Sequence, residues 1–151
     1  MFRTRLSDSL KDAMKAKDKG AVSTLRLILA ALKDRDIAAR TKGKADGIAD
    51  DEILDLLQKM VRQRQDSIEM YEKGGRQDLV DKETAEIEVI ERFLPKQLNE
   101  DEIRAAVNEV IGALEASSIK DMGRVMGELK QRYTGRMDFA RAGAMVKERL
   151  T

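Results

Sequence analysis

Apolar residues recur along this chain at intervals of three and four, and no segment alternates with period two over a convincing length. That pattern predicts amphipathic helices and no sheet. Phe2, Leu6, Leu10, Ala13 and Met14 form the stripe of a first helix, with Lys11, Lys15 and Lys17 on its wet faces. Asp18 to Gly20 breaks it. A second helix is predicted from about Ala21 to Arg40, burying Val22, Leu25, Ile28, Leu29 and Leu32. Its last turns, KDRDIAAR, are nearly all charged and are expected to project into solvent, and the glycine-containing Thr41–Asp50 segment reads as a mobile loop.

Asp50 is the expected N-cap of a third helix whose inner face carries Ile53, Leu57, Met60, Val61, Ile68 and Tyr71 and which stops at Gly74-Gly75. An acidic fourth helix follows from about Gln77 to Phe93, with Leu79, Val80, Ile87, Ile90 and Leu94 inward. The chain's single proline, Pro95, disfavours helical geometry in Leu94, so the boundary between two domains is placed there. Asn99 and Glu102 have the spacing of a capping box for a fifth helix, which buries Ile103, Val107, Val110, Ile111 and Leu114. Ser118 is a candidate cap for a sixth helix, and Asp138 for a seventh lined by Phe139, Ala142, Met145, Val146 and Leu150. The reading is therefore all-α: an N-terminal four-helix domain over residues 1–94, then a small three-helix C-terminal domain over residues 95–151.

Composition narrows the chemistry. With no cysteine and no histidine there is no thiol nucleophile, no thiolate metal site and no imidazole base. No apolar run approaches the roughly 20 residues of a spanning helix, and the charged N-terminus has no apolar core of a secretory signal. On those grounds the protein is expected to be cytoplasmic and away from membranes. The net charge of +1 conceals an uneven distribution: residues 1–77 carry +4, residues 78–117 carry −7 and residues 118–151 carry +4. The C-terminal excess leaves room for a basic patch.

Carboxylates are numerous but lack catalytic company. Glu83, Glu86, Glu88 and Glu91 read as a solvated helix face, and Asp34, Asp36, Asp50, Asp51 and Glu52 as surface charge without EF-hand spacing. No phosphate-binding glycine loop is present. No catalytic residue, metal or cofactor is expected.

The sixth helix carries the feature that remains. Met122, Val125, Met126 and Leu129 give it an apolar stripe, while Gly123 and Gly127, four apart, share one face. Each glycine costs a helix interior roughly 1 kcal/mol against alanine. Two readings are open: a facing helix packs closely against the glycines, or a ligand's phosphate backbone reaches the helix there beside Lys120, Arg124 and Lys130. In the third helix Arg62, Arg64 and Gln65 form a secondary candidate polar patch, for which a solvated face with pairs such as Arg62 with Asp66 is the plainer account.

The run Asp121-Met122-Gly123-Arg124-Val125-Met126-Gly127, with Gly135 and the closing Val146-Lys147 and Leu150, resembles the GatB/YqeY motif. Upstream, Thr24-Leu25-Arg26-Leu27, Arg64-Gln65-Asp66-Ser67-Ile68, Tyr71, Gly75-Arg76, Glu86-Ile87 and Phe93-Leu94-Pro95 are similar to free-standing YqeY-like proteins, so the likeness covers nearly the whole chain. The resemblance implies kinship with the tail domain of the B subunit of the glutamine-dependent tRNA amidotransferase, a domain implicated in contacting tRNA. It implies a non-catalytic, tRNA-binding or amidotransferase-associated role, with amidotransferase or aminoacyl-tRNA synthetase components as possible partners. Carried over by position, Lys120, Gly123, Arg124, Gly127 and Lys130 are the candidate RNA contacts. Two alternatives stand beside it: a helical protein-interaction module without RNA, and the carbon-nitrogen ligase activity with glutamine as amide donor that family naming attaches to such proteins.

Overall fold

The computed structural model describes residues Met1–Thr151. The chain is all-helical, with helices α1 (Phe2–Lys15), α2 (Lys19–Thr41), α3 (Asp50–Lys73), α4 (Gln77–Glu91), α5 (Glu100–Ala113), α6 (Met122–Arg132) and α7 (Phe139–Leu150). Its contacts divide it into two units, Met1–Leu94 and Pro95–Thr151. No helix is long and apolar enough to cross a membrane.

In the first unit α1 folds back on α2 after a short turn, α2 lies against α4, and α3 and α4 form the most extensive pairing. Leu6, Ile28, Ile53, Leu57 and Ile90 are fully shielded at its centre, each drawn from a stripe of period 3.6. Asp18 caps α2, its carboxylate accepting from the Ala21 N–H at 3.1 Å. Ala49, not Asp50, occupies the N-cap position of α3; Asp50, Asp51 and Glu52 fill its first turn, where carboxylates meet the positive end of the helix dipole.

Two solvent-facing expectations are corrected here. The end of α2 does not project freely: Ala39 is buried and Asp36 is partly covered. Nor is the following segment loose, because Ile48 is a core residue whose N–H donates to Asp36 Oδ1 at 2.9 Å. Arg3 completes the latch, donating to both Asp36 oxygens and, at 2.8 Å, to the Ile48 carbonyl. Asp36 therefore cannot be counted as surface charge, since the buried Ile48 peptide needs its acceptor.

In the second unit α5, α6 and α7 pack on one another around Val107, Val110, Val125, Leu129, Met137 and Val146. The capping box at α5 is present as predicted: Asn99 Oδ1 accepts from Glu102 N at 2.8 Å, and Glu102 Oε1 accepts from Asn99 N at 3.0 Å. Pro95–Leu98 is pinned to the turn between α6 and α7. Leu98 N donates to Arg136 O at 2.8 Å and Gln97 Nε2 to Gly135 O at 2.6 Å. Met137, absent from the predicted stripes, is fully buried just before the Asp138 cap of α7.

Candidate functional site

The turn leading into α6 is organised by Asp121. Ile119–Asp121 forms one 3-10 turn, and Asp121 Oδ2 accepts from the N–H groups of Ser117 and Ser118 at 3.0 and 3.4 Å. Its other oxygen accepts from Arg124 Nη2 at 2.9 Å. The Ser117 N–H first, and the Arg124 guanidinium second, hold this carboxyl below the usual range for aspartate. Arg124 also reaches the Leu114 carbonyl at 3.4 Å, so its charge is folded back over the turn between α5 and α6.

The packing reading of the glycine pair fails. A Cβ built at Gly123 or Gly127 meets no atom within 4 Å, and both glycines are exposed. The glycine that does meet a facing helix is Gly143 on α7, where an added Cβ would rest 3.7 Å from the Met126 methyl and 3.8 Å from that of Met122. Thus Met122 and Met126 lie toward α7, Val125 and Leu129 enter the core, and Gly123 and Gly127 leave bare backbone on the outside.

Lys130 is a turn beyond Gly127 on the same outward line, since 3.6 residues per turn bring positions 123, 127 and 130 together. Lys120 precedes that line in the 3-10 turn. Both lysines are exposed and neither enters a salt bridge, whereas Arg132 is held by Glu128 at 2.8 Å. Four of the five candidate RNA contacts therefore surround an uncovered strip of helix. The fifth, Arg124, lies about 100° around the helix from Gly123 and is already paired.

The secondary patch does not gather in the same way. Arg64 donates to Glu86 at 3.0 Å and to the Met60 carbonyl at 3.0 Å, and both members of the ion pair are only about one-seventh exposed, at 14% and 13%. Arg64 and Glu86 thus join α3 to α4, which also corrects the view of the acidic α4 carboxylates as uniformly solvated. Arg62, two residues earlier, is half-buried on the other side of α3, and Gln65 is exposed.

The family model described as "Yqey-like protein" matches residues 3–150. The chain belongs to the Yqey-like family. Relatives of this Yqey-like protein include proteins named "Altered inheritance of mitochondria protein 41, mitochondrial". The one from Lachancea thermotolerans is 38% identical over 115 residues, covering 75% of this chain and 59% of the relative. That from Pyrenophora tritici-repentis is 31% identical over 134 residues, covering 87% and 71%, and that from Saccharomyces cerevisiae 32% identical over 129, covering 82% and 68%. The match thus takes in about six tenths of the Lachancea protein's length.

These names overturn the cytoplasmic expectation, because the relatives are designated mitochondrial. The first residues lack an apolar signal core, and that pattern carries no information about organelles.

Proposed function

We propose that this Yqey-like protein is a non-catalytic RNA-docking accessory, with tRNA as the ligand to test, and that the outer face of α6 is its contact surface. The observation that carries the reading is the uncovered backbone at Gly123 and Gly127 with the unpaired Lys130 in line and Lys120 at its head. A sugar-phosphate backbone needs close approach and positive charge without a deep pocket, and a side-chain-free helix strip between two lysines offers both. The resemblance of the Asp121–Gly127 run to the GatB/YqeY motif supports the same ligand class.

The test is a titration of the full chain with tRNA across a salt series. Two to four phosphate contacts predict that log K falls with log salt at a slope of about −2 to −4. Lys120→Glu with Lys130→Glu should flatten that slope, and Gly127→Leu should weaken binding by covering the strip. Absence of binding at low salt, or affinity indifferent to both lysine reversals, overturns the proposal.

The protein-interaction reading has one observation of its own. Ile119, in the turn that precedes α6, leaves 48% of its surface in solvent, as an apolar anchor for a partner helix would. Loss of protein capture on Ile119→Asp, with tRNA binding unchanged, would assign the face to a protein instead.

A further inference from the structure

The first unit carries a second surface, unrelated to α6. At the end where α1 turns into α2, a groove of about 670 Å³ is lined by Met14, Val22 and Leu27 and by three cations, Lys17, Lys19 and Arg26. Met14 and Leu27 leave 52% and 46% of their surface exposed, a cost in water that no other part of the unit relieves. No acidic side chain lines the groove. The nearest in sequence, Asp18, is turned onto the Ala21 N–H as the cap of α2, and neither Lys17, Lys19 nor Arg26 enters a salt bridge.

We infer that this groove docks an acidic amphipathic helix of a partner protein, its apolar ridge seated on Met14, Val22 and Leu27 and its carboxylates on Lys17, Lys19 and Arg26. The charge selects the occupant. An uncharged or basic helix would leave three cations desolvated against it without compensation, whereas flanking carboxylates meet each one. The shape selects a helix. The lining runs along one face of α2, through Lys19, Val22, Arg26 and Leu27, with Met14 of α1 at its edge, and such a row receives a ridge of side chains spaced at i, i+3, i+4 and i+7, as helix-in-groove recognition does. A bilayer surface is served better by apolar residues on a convex face. The acidic helix of a second copy is poorly suited, because Val80, Val89 and Ile90 of α4 are turned into its own core.

Lys17 provides a clean variant. Its φ of +58° places it in the left-handed region, which glycine occupies at less cost. Lys17→Gly therefore removes a groove cation without burdening the fold.

The probe is a labelled synthetic peptide with leucines at i, i+3, i+4 and i+7 and glutamates elsewhere, titrated by fluorescence anisotropy against the full chain. It should bind saturably and about tenfold or more tighter than either a scrambled peptide of the same composition or a lysine-for-glutamate counterpart. Leu27→Asp, and Lys19→Glu with Arg26→Glu, should each weaken it by about tenfold. Lys17→Gly should weaken it while leaving the urea midpoint no lower. Equal binding of the scrambled peptide, or indifference to the charge reversals, overturns the inference. Binding only to anionic phospholipid vesicles overturns it in favour of a membrane surface. Concentration-dependent self-association abolished by Leu27→Asp, with no peptide binding, overturns it in favour of a second copy.

Discussion

The guanidinium of Arg3 closes on the carboxylate of Asp36 through two donors, Nη2 to Oδ1 at 2.7 Å and Nε to Oδ2 at 3.2 Å. Between them they also satisfy both polar groups of the Ile48 peptide. One ion pair thus ties the first turn of α1, the end of α2 and the approach to α3. Asp36→Ala leaves the Ile48 N–H without its acceptor and Arg3 without its partner, and is expected to cost about 2–4 kcal/mol in urea unfolding. Asp36→Asn, which keeps an acceptor oxygen, should cost less.

The same pair sets a pH dependence. Hydrogen bonding from Arg3, more than any other cause, holds the Asp36 carboxyl below its ordinary range. A carboxyl whose folded value is depressed contributes stability that is complete above its unfolded value and is lost as pH falls through the folded one. Stability should therefore decline on acidification below about pH 4, and Asp36→Asn should remove that part of the decline.

Gly47 is required by this latch. Its φ is +83°, and a Cβ there would fall 2.2 Å from Asp36 Oδ1. Gly47→Ala should cost about 2–4 kcal/mol, part from the left-handed backbone and part from displacing the carboxylate. In an Asp36→Ala background the collision disappears and the cost should shrink to roughly 1 kcal/mol. Additive losses in this double-mutant cycle would refute the steric account.

What could be read from the sequence and what could not divides along a physical line. The stripes through Leu6, Ile28, Ile53 and Val107 were legible because burial of one helix face imposes the period directly. The Asn99 and Glu102 box was legible because capping is local. Arg3 and Asp36 stand 33 residues apart, and no local period reports which charge another helix will meet. Met137 escaped because it lies outside any helix, and Gly143 because one glycine in a stripe does not announce which side chains cover it. At the candidate site the sequence showed that Gly123 and Gly127 share a face, but only tertiary structure shows that the face is open.

Arg64 and Glu86 test how the first unit tolerates buried charge. Removing one partner strands the other, so Arg64→Ala should destabilise by about 3–5 kcal/mol. Replacing both by apolar residues of similar size, Arg64→Met with Glu86→Leu, should recover most of that loss. A double variant no more stable than Arg64→Ala would show that the pair fixes the α3 and α4 packing in a way hydrophobic filling cannot replace.

Glu83 acts in the opposite sense to Asp36. Burial, and then the negative charge of Glu86, raise its carboxyl above the usual range. A raised carboxyl is bound to a proton more firmly in the folded state, so stability falls as pH rises from the unfolded value through the folded one. At neutral pH the charge is a burden, and Glu83→Gln should stabilise the chain by about 0.2–0.5 kcal/mol, the scale of a like-charge pair on a helix. The gain should vanish below about pH 4, where both states are protonated.

The open strip on α6 makes a prediction in which stability and docking part company. Because a methyl at position 123 or 127 meets nothing within 4 Å, Gly123→Ala and Gly127→Ala replace poor helix formers without a steric penalty. Each should raise stability by about 0.5–1 kcal/mol, and the two together should be nearly additive. If the strip serves an approaching phosphate backbone, the same substitutions should weaken tRNA binding in proportion to the side chain added, alanine a little and leucine much more. A fold that gains stability while affinity falls would show that the glycines are kept for a ligand. Affinity unchanged through Gly127→Leu would leave the bare helix face without a part in RNA docking.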